Sequence, residues 1–146
     1  MHTSLSGFTL IEVVISLACL ALILGISVPA YDALHVRNEL NNTTVALVSN
    51  LRRSQALARA ANGDTSWGVY IATGSILIYK GSSYGTRDTL YDENTSMSPT
   101  ILVSGIKEIN FTKVYGLPTT TGTTTLTSVR NETKNIFINK KGTISY

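Results

Sequence analysis

The chain has 146 residues, of which 43% are hydrophobic, 14% charged and 8% aromatic, a length that fits one domain. The charged fraction lies below the ~25% usual for soluble domains, so part of the chain is expected not to face water. Two His and one Cys argue against a zinc or haem site and against an internal disulfide, and a net charge of +3 is too small to mark a polyanion binder unless it is clustered.

The apolar residues are concentrated near the start. Residues 8–28 read FTLIEVVISLACLALILGISV, with Glu12 as the one charge. A helix over this run is roughly 30 Å long, about the hydrocarbon thickness of a bilayer. The run therefore predicts a membrane-inserting helix, because the remaining chain holds too little apolar material to surround it. A cleaved secretory signal fits less well. Val28-Pro29-Ala30 has small-residue character, but MHTSLSG carries no Lys or Arg and Glu12 interrupts the run.

An ionised carboxylate costs roughly 2.5–3.5 kcal/mol at the bilayer centre and usually has a partner. Residues 8–28 contain no Lys, Arg or His to serve Glu12. The partner must come from another chain or from a new amino terminus. A cut after Gly7 would place an amine on Phe8, about one helical turn from Glu12. Such an amine has a pKa near ~7.7–8.0 and is mostly protonated at neutral pH.

Gly7-Phe8-Thr9-Leu10-Ile11-Glu12 followed by an apolar run resembles the cleavage and methylation motif of type IV prepilins and type II secretion pseudopilins. The resemblance implies that a prepilin peptidase cuts between Gly7 and Phe8 and methylates the Phe8 amine. It implies that Glu12 guides docking onto the filament, and that Pro29 is the helix-kinking proline of these proteins. Two features depart from the pattern. No Lys or Arg precedes Gly7, and Arg37, Arg52, Arg53 and Arg59 follow the apolar run, opposite to the usual charge rule for orientation.

Pro29 predicts a kink or short break, with helix resuming over residues 30–61. Leu40, Thr44, Leu47, Leu51, Ser54, Ala58 and Ala61 recur at spacings of four and three and form one face. Glu39, Asn42, Asn50, Arg53 and Gln55 form the other. Asn62-Gly63 reads as the helix stop.

From Trp67 the pattern becomes short β-like runs. Residues 67–73 and 75–80 form a hairpin about Gly74, and 101–104, 106–113, 124–129, 135–139 and 143–146 continue the series. Residues 81–100 and 118–123 read as loops, and 139–142 as a final turn. The expected fold is α+β: a long N-terminal helix, membrane-spanning in its first half, packed on a small antiparallel sheet. This order is similar to that of pilins. The stretches LRRSQALARAANG, WGVYIATGSILIYKG and NIFINKKGTISY resemble H-type minor pseudopilins and T-type fimbrial minor pilins. The implied organisation is a leader over 1–7, a membrane and filament-core helix over 8–28, an amphipathic half-helix over 29–62 and a β-rich domain over 63–146.

No catalytic motif stands out, and neither an enzyme nor a cofactor or metal site is expected. Asp88, Asp92, Glu93 and Asn94 suit a solvated acidic loop; oxygen-only calcium ligation is the alternative, though the spacing fits no calcium motif. Arg130, Lys134, Lys140 and Lys141 against Glu132 leave residues 130–146 basic. They read as solvated edge charges, or as phosphate contacts of a DNA-uptake pilin. The resemblance implies a minor pilin or pseudopilin in the inner membrane, with its C-terminal domain extracytoplasmic, and then in a filament. Implied partners are the prepilin peptidase, other pilin subunits, the inner-membrane assembly platform, membrane lipid, and DNA or secreted cargo.

Overall fold

The computed structural model describes residues 7–146, with the side chains of residues 26–30 outside the described ones. The backbone separates into two units, Met1–His35 and Val36–Tyr146. Helix α1, Leu10–Arg59, is helical through position 29, so the short break expected at Pro29 does not occur. The kink expected there lies outside the described residues. Among the described residues, no helix is long and apolar enough to cross a membrane.

In the second unit, α1 meets eight antiparallel strands in two sheets. The strands are β1 (Trp67–Ala72), β2 (Ser75–Lys80), β3 (Asp88–Ser96), β4 (Leu102–Gly105), β5 (Glu108–Phe111), β6 (Gly122–Thr127), β7 (Thr133–Ile138) and β8 (Ile144–Ser145). One sheet runs β3-β2-β1-β5 and the other β4-β6-β7-β8. The protein is α+β, as expected, but with two four-stranded sheets where one had been expected.

The expected apolar face of the helix is the buried one. Leu40, Thr44, Leu47, Leu51, Ser54 and Ala58 are all buried, while Ala61 is only half-buried. The aliphatic members share one core with Val69, Ile71, Ile76, Ile78, Ile109 and Phe111 from the first sheet and Leu126, Ile136 and Ile138 from the second. Burial of this continuous apolar surface is what orders the short strands, which would not persist alone in water. The helix stops at Arg59, slightly before the expected Asn62, where Ala61 turns left-handed.

Three expectations need correction. Residues 88–96, read as loop, form the edge strand β3. Its side chains are mostly exposed, and polar contacts to α1 help hold it: Arg53 donates to Glu93, and Asn50 donates to Thr95 Oγ1 at 3.2 Å. Gln55 is buried, not solvated. Its Nε2 donates to the carbonyls of Gly116 at 2.9 Å and Gly142 at 3.0 Å, tying two loops to the helix. The expected strand over 106–113 starts only at Glu108, because the chain crosses between sheets at residues 105–107.

Two glycines permit close approaches. Gly105 has φ +79, and a Cβ there would collide with the Thr123 carbonyl. A Cβ on Gly68 would occupy the space of the Tyr79 ring, whose hydroxyl donates to Glu108 Oε1 at 2.8 Å. Burial raises the pKa of the Tyr79 phenol, Asn110 opposes that shift, and Glu108 adds to it.

Ser54 Oγ is buried without a hydrogen-bond partner among the described residues. Ser54→Ala removes that orphan hydroxyl and improves helix propensity, so it should stabilise the chain by about 1 kcal/mol. Gly105→Ala should destabilise it by about 1–3 kcal/mol through left-handed strain and overlap with Thr123. Denaturant unfolding of the two variants in detergent checks both signs.

Candidate assembly site at the start of α1

Residues 7–9 precede the helix in non-helical conformation, and both Gly7 and Phe8 are exposed. Among the described residues, nothing lies within 4 Å of a Cβ built on Gly7.

Thr9 then caps the helix. Its carbonyl accepts from Glu12 N–H at 3.1 Å and Val13 N–H at 3.3 Å, and its Oγ1 lies 3.4 Å from the Glu12 N–H. Thr9 and Glu12 have the Thr-x-x-Glu spacing of a capping box, and the Thr9 side chain supplies the half that satisfies an otherwise orphaned helix N–H. This local link follows from the spacing and stands beside the partner expected for the Glu12 carboxylate, another chain or a new amino terminus. The carboxylate in the first turn also suits the positive end of the helix dipole. The Ser16 hydroxyl closes the next turn by donating to the Glu12 carbonyl at 2.8 Å.

Around and beyond the cap, the apolar side chains are exposed among the described residues. Phe8, Leu10, Ile11, Val13, Val14, Ile15, Leu17, Leu20, Leu22, Ile23 and Leu24 are all exposed, from 46% to 83%. Cys19 is also exposed and free. An apolar surface this long is a contact surface for lipid or protein, not for water.

Residues 5–28 match the family model described as the prokaryotic N-terminal methylation motif. The chain carries the N-terminal signature of type IV prepilin-like proteins. The match includes Gly7, Phe8 and Glu12 and ends at Val28. No curated protein and no solved structure matches the chain. The prepilin motif supports, in general terms, recognition by a prepilin peptidase, membrane association before assembly and packing among pilin subunits.

The other candidate residues do not join this site. Asp92 accepts from Arg87 Nε at 2.9 Å, and Glu93 accepts from Arg53 Nε and Nη2, each at 2.8 Å. Adjacent positions on β3 face opposite ways, so the two carboxylates are drawn to different arginines. The Arg53 contact lowers the Glu93 pKa below its usual range. Asp88 accepts the Leu90 N–H at 3.2 Å. Asn94 pairs with Leu77 across β2 and β3. Among the described residues, no three His, Cys, Asp or Glu side chains gather as metal ligands.

The basic residues divide between the two ends of β7. Arg130 lies in the turn before it and Lys134 near its start, whereas Lys140 and Lys141 lie in the turn to β8. Six residues of extended chain separate Lys134 from Lys140 by roughly 20 Å.

Thr9→Ala removes the side-chain cap. Amide exchange at residues 12 and 13 in detergent micelles should quicken about fivefold, corresponding to about 1 kcal/mol. Thr9→Ser should leave it unchanged.

Proposed function

We propose that this chain is the precursor of a minor pilin or pseudopilin of a type IV pilus or type II secretion filament, acting by assembly and not by catalysis. The observation that carries this reading is the exposed Gly7–Phe8 junction set directly before a capped helix whose apolar side chains the chain itself leaves bare. The methylation motif over residues 5–28 supports it independently.

In this reading residues 8–28 insert into the inner membrane with the C-terminal domain extracytoplasmic. Prepilin peptidase removes residues 1–7 and methylates the amine of Phe8. Methylation keeps the positive charge. The subunit then leaves the bilayer through the assembly platform. In the filament, neighbouring apolar helices cover one another, and each Glu12 meets the methylated amine of another subunit. Lipid before assembly and protein afterwards solve the same exposure problem for residues 8–24.

Mass spectrometry of the chain co-expressed with a prepilin peptidase tests the proposal. The mature form should begin at Phe8 and carry one added methyl group on its amine. Gly7→Leu should remain largely uncut, because a bulky side chain replaces the hydrogen at the scissile position. A wild-type chain that keeps residues 1–7 beside an active peptidase would contradict the reading.

A further inference from the structure

The second sheet has an incomplete side. β8 covers only Phe137 and Ile138 of β7, through the pairs Phe137↔Ser145 and Ile138↔Ile144. Positions 133–136 face no strand on that side among the described residues. Ladder parity says which backbone groups are left over. The Ser128 N–H donates to the Glu132 carbonyl at 2.9 Å, so Ser128 and Glu132 form a hydrogen-bonded pair. Hydrogen-bonded and non-hydrogen-bonded pairs alternate along an antiparallel ladder. Lys134 and Ile136 therefore bond towards β6, while Thr133 and Asn135 direct their N–H and C=O groups to the uncovered side. The Asn139 N–H donating to the Thr143 carbonyl at 3.2 Å gives the same phase from the β8 end.

A cleft of about 320 Å³ adjoins this uncovered stretch. Arg37, Leu40 and Asn41 of α1 line one wall, and Glu132, Thr133 and Lys134 line the other. No β6 residue takes part, which places the cleft on the uncovered side of β7. Arg37, Leu40 and Asn41 share a helix face through their spacings of three and four. Lys134 stands opposite Leu126 in the ladder, on the same side of the sheet as the buried Ile136 and Ile138. Arg37 and Lys134 make no salt bridge among the described residues. Two unpaired cations outweigh Glu132 in this cleft.

We infer that this cleft is a strand-addition site for an extended peptide segment of a partner polypeptide bearing an acidic side chain. The partner backbone pairs with Thr133 and Asn135, continuing the sheet past β7. Its inward side chains pass Leu40 and bring a carboxylate to Arg37 and Lys134. Its outward side chains extend the uncharged face that Thr133 and Asn135 share with Thr125 and Thr127. Main-chain bonds supply affinity, and the cations select the acidic segment.

The test uses the full chain in detergent micelles and the capped heptapeptide Thr-Val-Thr-Asp-Thr-Val-Thr, followed by fluorescence anisotropy. Two control peptides replace Asp with Lys, or carry N-methyl groups on alternate residues. The Asp peptide should bind about three- to fivefold more tightly than the Lys peptide, the range of an exposed charge pair. N-methylation along the bonding edge should weaken binding about tenfold or more by removing main-chain donors. Lys134→Glu should reverse the preference between the Asp and Lys peptides. Because the peptides vary while the protein stays wild type, a misfolded Lys134→Glu leaves the test standing. In the wild-type complex, amide exchange at Thr133 and Asn135 should slow. Failure of the Asp peptide to bind, equal binding of the Asp and Lys peptides, undiminished binding of the N-methylated peptide, or unchanged exchange at Thr133 and Asn135 would overturn the inference.

Discussion

An apolar helix face that its own chain leaves bare is the constraint on which the rest depends. From Phe8 to Leu24 the large side chains stand in the open, while every large aliphatic of the central strands β1, β2, β6 and β7 except Leu77 is buried. A folded chain does not keep such a surface in water. The environment must supply the cover, so this part of the molecule is completed only by lipid or by other subunits. Glu12 sharpens that requirement. It helps form the helix start with Thr9, yet residues 8–28 hold no cation to neutralise it. The proposed cut after Gly7 would create a cation within a turn of every Glu12, and a packed array would let each subunit neutralise its neighbour.

The same helix changes role along its length. From Val36 onward its buried face is Leu40, Thr44, Leu47, Leu51, Ser54 and Ala58, spaced to meet the inner faces of both sheets. Its other surfaces hold loops and edges by polar contacts. Gln55 fixes the loops at Gly116 and Gly142, and Arg53 and Asn50 fix β3. One continuous element thus passes from a segment needing outside cover to one that organises a small two-sheet domain. The crossover at Gly105 lets the chain leave one sheet and enter the other without a long connection.

The most local features were the most legible. The prepilin-like motif that includes Gly7, Phe8 and Glu12 shows in spacing alone, and the helix face at residues 40–58 follows from a 3.6-residue period. Strand β3 was not legible. DTLYDENTS has one adjacent apolar pair, Leu90-Tyr91, and no alternation, because an edge strand held partly by Arg53 buries little. Gln55 was misplaced because its two acceptors lie 61 and 87 residues away. Polar burial of this kind depends on which loops meet, and hydrophobic period does not encode it. The separation of Lys134 from Lys140, and the uncovered side of β7, likewise needed the strand order.

The most direct measurement compares wild-type chain and Glu12→Ala in two fractions of the same cells, membranes and sheared filaments. The account predicts that Glu12→Ala reaches the membrane at the wild-type level and is absent from the filament fraction. Glu12→Ala present in filaments at the wild-type level would contradict the claim that neutralisation of Glu12 by a neighbouring amine drives assembly.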